Sequence, residues 1–257
     1  MSEGSPLFDL RGVRALVTGG SRGIGAAVAR LLARQGADVA VSYRTRAADA
    51  ERVVAELCGM GVRAMAVRAE LADVASVDAM VDQVAGAWGG IDAFIGNAGI
   101  WPADEVAVQD MPDARWRRTI AENVDGVFYS TRAALRVMGE GGRVVLVAST
   151  AGQRGEAMHA DYAASKGAMI SFVKSVAVEV AARGITVNSV APGWVDTEMC
   201  AVPFAGDGRE RIARGIPVGR IASPEDIAAP IVFLCSREAR HITGEILNVN
   251  GGSVLCG

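Results

Sequence analysis

A tyrosine and a lysine stand four residues apart in Tyr162-Ala163-Ala164-Ser165-Lys166, within a stretch whose spacing predicts a helix. At that distance both side chains lie on one helix face. An ammonium there favours the phenolate and makes the phenol a usable acid or base near neutral pH. Composition adds weight to the lysine: of 26 basic residues only Lys166 and Lys174 are lysines, and the rest are arginines. Lysine in an arginine-writing chain points to a need for a compact, rotatable ammonium. The structural alternative is a solvated helix turn that carries an aromatic and a basic residue.

A second group of residues could hold a phosphate. The apolar run at 14–18 leads into Thr18-Gly19-Gly20-Ser21-Arg22-Gly23-Ile24-Gly25, and a helical pattern follows. Such a turn lets the backbone approach a pyrophosphate and aims a helix N-terminus at its charge. The spacing is Gly19-x-x-x-Gly23-x-Gly25, so the cofactor reading rests on its position after the first strand.

The elements that must position these groups follow an alternating pattern. Short apolar runs at 14–18, 38–42, 63–68, 93–96, 143–148, 186–190 and 246–249 read as strands. Helical patterns at 26–35, 47–60, 74–88, 114–138, 162–183 and 224–236 lie between them. Runs such as Val144-Val145-Leu146-Val147 lack in/out alternation, as expected of strands covered on both faces. The expected fold is α/β: a single Rossmann-type, doubly wound parallel sheet of about seven strands over residues 1–257, with helices on both faces. Residues 1–8 read as a flexible tail. The irregular stretch at 194–216, with Pro203, Gly206 and Gly208, reads as a segment that closes over substrate.

Composition limits the function classes. The chain has 257 residues, 51% of them hydrophobic, with net charge −3 and no basic block that would footprint nucleic acid. Arg115-Trp116-Arg117-Arg118 reads as a solvated helix face. Four scattered cysteines, Cys58, Cys200, Cys235 and Cys256, predict reduced thiols. His159 and His241, the only histidines, exclude a His-rich metal centre. A polar start and the lack of a long apolar run predict a cytoplasmic protein that does not enter membranes.

Taken together, Thr18 to Gly25, Asn97-Ala98-Gly99, Asn123, Ser149, Tyr162 with Lys166, and Pro192-Gly193 resemble the short-chain dehydrogenase/reductase family in order and spacing. The resemblance spans about residues 8–254. It implies an oxidoreductase that acts on a CH–OH group. Tyr162 would exchange a proton with the substrate oxygen while hydride moves to or from a nicotinamide. Lys166 would lower the phenol's pKa and hold the nicotinamide ribose, Ser149 would hydrogen-bond the substrate oxygen, and Asn123 would position a water that links Lys166 to solvent. The cofactor would lie along Gly19, Ser21, Arg22, Gly23, Ile24 and Gly25, then Tyr43, Arg44 and Thr45, then Glu70 and Leu71. Beyond these it would meet Asn97, Ala98 and Gly99, Tyr162 and Lys166, and finally Pro192, Gly193, Val195 and Thr197. Two positions depart from the family: Gly96 stands where the first of two asparagines is usual, and Glu70 where an aspartate commonly contacts the adenine.

Charge predicts the cofactor. NAD-selective folds place an acid at the end of the second strand, yet this chain reads Val41-Ser42-Tyr43-Arg44-Thr45-Arg46 with no carboxylate until Asp49. With Arg22, these guanidinium forks favour NADP(H), and NAD(H) is the alternative. By family analogy Ile100, Trp101, Gln153, Arg154, His159 and Trp194 line the substrate site. The nearest overall resemblance is to bacterial 3-oxoacyl-[acyl-carrier-protein] reductases, which dock an acyl carrier protein through basic helix residues. Arg136 matches one such position, whereas Val178 stands where those enzymes have arginine, which argues against docking. The alternatives are a dehydrogenase of sugars, polyols or other small secondary alcohols, and a cofactor-binding regulatory protein without turnover. The resemblance also implies a homotetramer, paired through the helices near 114–138 and 162–183 and through residues 251–257.

Overall fold

The computed structural model describes residues 8–255. Seven strands form one sheet: β1 (Arg14–Val17), β2 (Asp38–Tyr43), β3 (Ala64–Arg68), β4 (Ile91–Gly96), β5 (Met138–Val147), β6 (Thr186–Pro192) and β7 (Ile246–Val249). Their order is β3-β2-β1-β4-β5-β6-β7, and every adjacent pair is parallel. The helices are α1 (Gly23–Arg34), α2 (Ala47–Gly59), α3 (Val74–Trp88), α4 (Asp113–Ile120), α5 (Gly126–Val137), α6 (Thr150–Arg154), α7 (Ala160–Val180), α8 (Gly208–Arg214) and α9 (Pro224–Leu234).

Successive strand residues feed two cores, which explains the missing alternation of polarity. Ala15, Val17, Val39, Val41, Ile95 and Val145 pack against α1, α2 and α9 on one face. Leu16, Ala40, Phe94, Val144, Leu146 and Val187 pack against α3, α5 and α7 on the other. Both neighbours of a buried strand residue are therefore apolar. The strand order reverses between β1 and β4, and the crevice there opens at the strands' carboxyl ends, where open α/β sheets bind ligands. Among the described residues no helix is long and apolar enough to cross a membrane.

Two expectations need correction. The pattern at 114–138 reads as one helix, but α4 and α5 are separated by a π-helical stretch, Ala121–Asp125, and Met138 belongs to β5, opposite Ile91. The stretch at 194–216 contains a 3-10 turn (Glu198–Cys200) and α8, and an ion pair between Asp196 and Arg209 (2.5 Å) ties its start to α8. Of the expected tail 1–8 only Phe8 is described. Its amide donates to Gln35 Oε1 at 2.9 Å and its ring lies 5.8 Å from that of Phe233. Of the terminal stretch 251–257, Cys256 and Gly257 lie outside the described residues.

Candidate active site

The glycine turn is fastened to the loop after β4. Thr18 Oγ1 accepts from the amides of Asn97 (3.0 Å) and Ala98 (3.1 Å), and Asn97 Nδ2 donates to the carbonyls of Thr18 (3.0 Å) and Gly19 (3.3 Å). A Cβ at Gly25 would meet the Gly19 carbonyl at 2.4 Å, so only glycine lets α1 start this close to the turn. Helix α1 has no side-chain cap and no acid in its first turn, which leaves its leading N–H groups facing the cleft. At Gly96, where the family departure lies, a Cβ would come 2.6 Å from Leu146 Cδ2 and would require that leucine to shift. Asn97 and Thr18 supply the loop bonding at this point.

At the cleft's other end, β5 delivers Ser149 and α7 delivers Tyr162 and Lys166. Ser149 caps α6, accepting from the Ala151 amide at 3.1 Å, which leaves its hydroxyl proton free to point elsewhere. Gly152 lets α6 sit directly on α7, since a Cβ there would lie 2.5 Å from the Lys166 carbonyl carbon. Lys166 is 4% exposed, its Nζ donates to the Val147 carbonyl at 2.7 Å, and it stands 5.8 Å from the Tyr162 ring centroid. Burial lowers the lysine's pKa to about 8.

The Tyr162 phenol behaves differently from the sequence expectation. Burial raises its pKa above the ordinary tyrosine value, Glu156 and Cys200 push in the same direction, and a hydrogen bond with Ser149 opposes them. The neighbouring ammonium does not overcome this desolvation, so the phenol is held protonated in the free protein.

Asn123 sits in the π-helical stretch and is fully buried. Its Oδ1 accepts from the Ile100 amide at 2.8 Å, and its Nδ2 donates to the Ile100 carbonyl (2.9 Å) and Ser165 Oγ (3.1 Å). The side chain clamps helix, loop and α7 together, so what it can offer a water is its backbone carbonyl. π-Helical turns are frequent at functional sites because they break the regular ladder in this way. Next to Tyr162, Asp161 is wholly buried and accepts from Thr119 Oγ1 (2.7 Å) and Arg115 Nε (3.1 Å). Arg115 is thus not on a solvated face, although Arg117 is.

One cleft is lined by Gly19 and Ser21 to Ile24, by Tyr43 to Thr45, by Glu70, Leu71 and Asn97 to Trp101, and by Ser149, Arg154, Tyr162, Lys166, Pro192 to Val195 and Thr197. Gly25 and Asn123 do not line it; they shape it from behind. Gln153 and His159, expected at the substrate, also do not line it. Gln153 Nε2 turns away to Asn248 Oδ1 (2.6 Å), and the His159 ring stacks behind Trp101 with centroids 4.7 Å apart. Sequence reasoning missed three carboxylates that do line it: Glu122, Glu156 and Glu198. Glu122 pairs with Arg44, and Glu198 pairs with both Arg22 and Arg46 (3.1 Å to the latter). Nothing in the sequence marks them, because each sits in a polar segment whose partners come from distant loops.

The family model described as enoyl-(acyl carrier protein) reductase matches residues 19–253. The 3-oxoacyl-[acyl-carrier-protein] reductase FabG of Vibrio harveyi is 39% identical over 250 residues, which is 96% of this chain and all of that one. A short-chain dehydrogenase from Burkholderia cenocepacia J2315, solved in complex with NADP, superposes with TM-score 0.90 at 41% identity, covering 95% of this chain and 99% of that one. A short-chain dehydrogenase/reductase from Serratia marcescens BCRC 10948 gives TM-score 0.90 at 36% identity, with 95% and 99% covered. Likeness this complete in sequence and in backbone leaves one assignment: the chain belongs to the short-chain dehydrogenase/reductase family of oxidoreductases.

Proposed function

We propose that the protein is an NADP(H)-dependent carbonyl reductase that converts 3-oxoacyl thioesters to 3-hydroxyacyl thioesters. The observation that carries this reading is that a single cleft holds both an arginine-rimmed, uncapped helix N-terminus and the Ser149, Tyr162 and Lys166 side chains. The residues fit a dinucleotide phosphate. The start of α1 has no side-chain cap, Arg22, Arg44 and Arg46 stand by the end of β2 on exposed ion pairs to Glu198 and Glu122 that a phosphate can replace, and Glu70 Oε1 is buried in the lining without a partner, as an acceptor for the adenine amine would be. The names of relatives agree: FabG of Vibrio harveyi is a 3-oxoacyl-[acyl-carrier-protein] reductase, and the Burkholderia cenocepacia structure holds NADP.

When bound, NADPH supplies the hydride. The remaining work belongs to this chain. The Ser149 hydroxyl donates to the carbonyl oxygen and stabilises the charge that develops there. Tyr162, kept protonated by its surroundings, passes its proton to that oxygen, and a protonated phenol suits the reductive direction. Lys166, fixed on the Val147 carbonyl with a pKa near 8, replenishes the phenol. Trp101 and Trp194, edge to face with centroids 6.2 Å apart, wall the site, and the segment at 194–216 excludes water.

A second reading, oxidation of sugars or polyols, is favoured by the Trp101 ring set beside the Glu156 carboxylate, a pairing that suits polyhydroxylated ligands. Delivery by an acyl carrier protein is not part of the proposal, because Val178 is 79% exposed where docking calls for arginine. The exposed Phe128, with Tyr129 and Phe172 beside it, supports a homotetramer paired through α5 and α7, and light scattering that shows a stable monomer would remove it. A cytoplasmic location completes the reading. The test is NADPH and NADH consumption across 3-oxoacyl thioesters, diketones, sugars and steroids. Thioester reduction with an NADPH preference is expected, and turnover confined to sugars or to NADH overturns the proposal.

A further inference from the structure

Glu156 is a carboxylate in the wall of a site whose other lining near Tyr162 is largely aromatic or apolar. Its Oε1 accepts from Trp101 Nε1 at 3.2 Å and lies 3.6 Å from His159 Nδ1. Trp101 is fixed in turn, stacked on His159 at 20° and edge-on to Trp194, which meets Phe204 at 5.9 Å. The Glu156 side chain is 22% exposed, and its Oε2 has no hydrogen-bond partner among the described residues. Burial raises its pKa from the ordinary carboxylate value, and His159, the Trp101 hydrogen bond and Arg154 act against that rise. Arg154 is exposed and forms no ion pair with it, Lys166 is tethered to Val147, and Arg115 is taken by Asp161. In the reaction described above this carboxylate helps to keep Tyr162 protonated and has no role toward the rest of the substrate.

We propose that Glu156 selects substrates by charge, so that the site accepts 3-oxoacyl groups masked as esters or thioesters and rejects the free 3-oxo acids. The inference rests on the reductase reading. A 3-oxo acid places its own carboxylate two carbons from the reacting carbonyl, so binding it would bring two anions together in a wall that water reaches poorly. An ester or thioester carries no charge at that position, and any N–H or O–H on its arm meets a free acceptor in Glu156 Oε2. Arg154, solvated at the rim, is too well screened to offset the repulsion.

The test compares ethyl 3-oxobutanoate with 3-oxobutanoate at about pH 8, where free carboxylates are ionised. In the wild-type protein kcat/KM for the ester is expected to exceed that for the acid by roughly a hundredfold, and E156Q should shrink the ratio by roughly tenfold through a gain on the acid. E156D keeps the charge and should keep the ratio. An E156Q ratio equal to the wild type's overturns the proposal. A binding arm uses redox-inert butanoate and butanamide titrated into the NADPH complex and followed by tryptophan fluorescence. E156Q is expected to tighten butanoate relative to butanamide, and an unchanged relative affinity counts against Glu156. If neither ketone is turned over, the reductase reading falls while the binding arm still decides the role of Glu156.

Discussion

Around Lys166 and Asn123 the polar groups are buried and hydrogen-bonded: Lys166 to the Val147 carbonyl, Asn123 to both ends of Ile100, and Asp161 to the half-buried Arg115. At the other end of the same cleft, Arg22, Arg44 and Arg46 hold carboxylates from remote segments, and each of these arginines is 40–51% exposed. Buried, bonded groups have one arrangement, because leaving any of them unpaired is costly. Exposed ion pairs are worth little and exchange partners readily. The first region is suited to fixing a reaction geometry and the second to trading a protein carboxylate for a ligand phosphate.

Substitutions can break this contrast, and the largest effect belongs to the buried end. Tyr162→Phe is expected to lower kcat by roughly a thousandfold or more while NADPH binding survives, measured by turnover and by fluorescence titration. Unchanged turnover would remove the phenol from the reaction, and a regulatory protein would then be the better account.

Asp161→Ala takes the carboxylate from Thr119 and from the half-buried Arg115, which keeps only the Asp104 carbonyl, and the expected loss is about 3 kcal/mol of unfolding free energy, read from urea midpoints. A change within error would show that the ion pair is not structural. The same change at the exposed Asp113–Arg117 pair should be close to neutral.

Lys166 gives a pH test of burial. Its folded pKa, about 8, lies below the ordinary lysine value of 10.5, so between these the unfolded chain binds the extra proton. Stability from this group therefore rises as pH increases through that window, by on the order of 3 kcal/mol. Lys166→Met should abolish that slope in denaturation midpoints taken across the window. A slope that persists in the variant must come from other groups.

The smallest effect is expected at the rim. Glu198→Gln frees Arg22 and Arg46 from a carboxylate, so NADPH should bind a few-fold more tightly, with an effect below about 1 kcal/mol and lost at high salt. NADH, which lacks the 2′-phosphate, should bind unchanged. An equal gain for both cofactors would mean that Glu198 acts on something other than the phosphate.

The sequence made the sheet legible because each buried run is short, apolar and followed by a helical pattern; six of the seven strands fall within two residues of their expected bounds, and β5 starts five residues early. Tyr162, Lys166 and the glycine turn were legible for a related reason, since their chemistry depends on local spacing. The break at Asn123 was not, because residues 113–137 carry ordinary helical signals and the π-helical stretch accompanies bonds to Ile100, 23 residues away. Glu198 was hidden for the same reason, lying 176 residues from Arg22. Gln153 and His159 were misplaced because their local neighbourhood is right and their side-chain directions are not. The phenol's pKa was read from its neighbour's charge, whereas burial, which no local pattern reports, sets its direction.

The chain's reluctance to use lysine has a practical side. Lys174 points outward from α7, and Lys166 lies in the cleft with an amine about half neutral near pH 8. An amine-directed reagent small enough to enter the cleft therefore meets one internal nucleophile and one external reference on the same helix. Ligand occupancy of the cleft can then be followed as protection of a single peptide, without any assay of turnover.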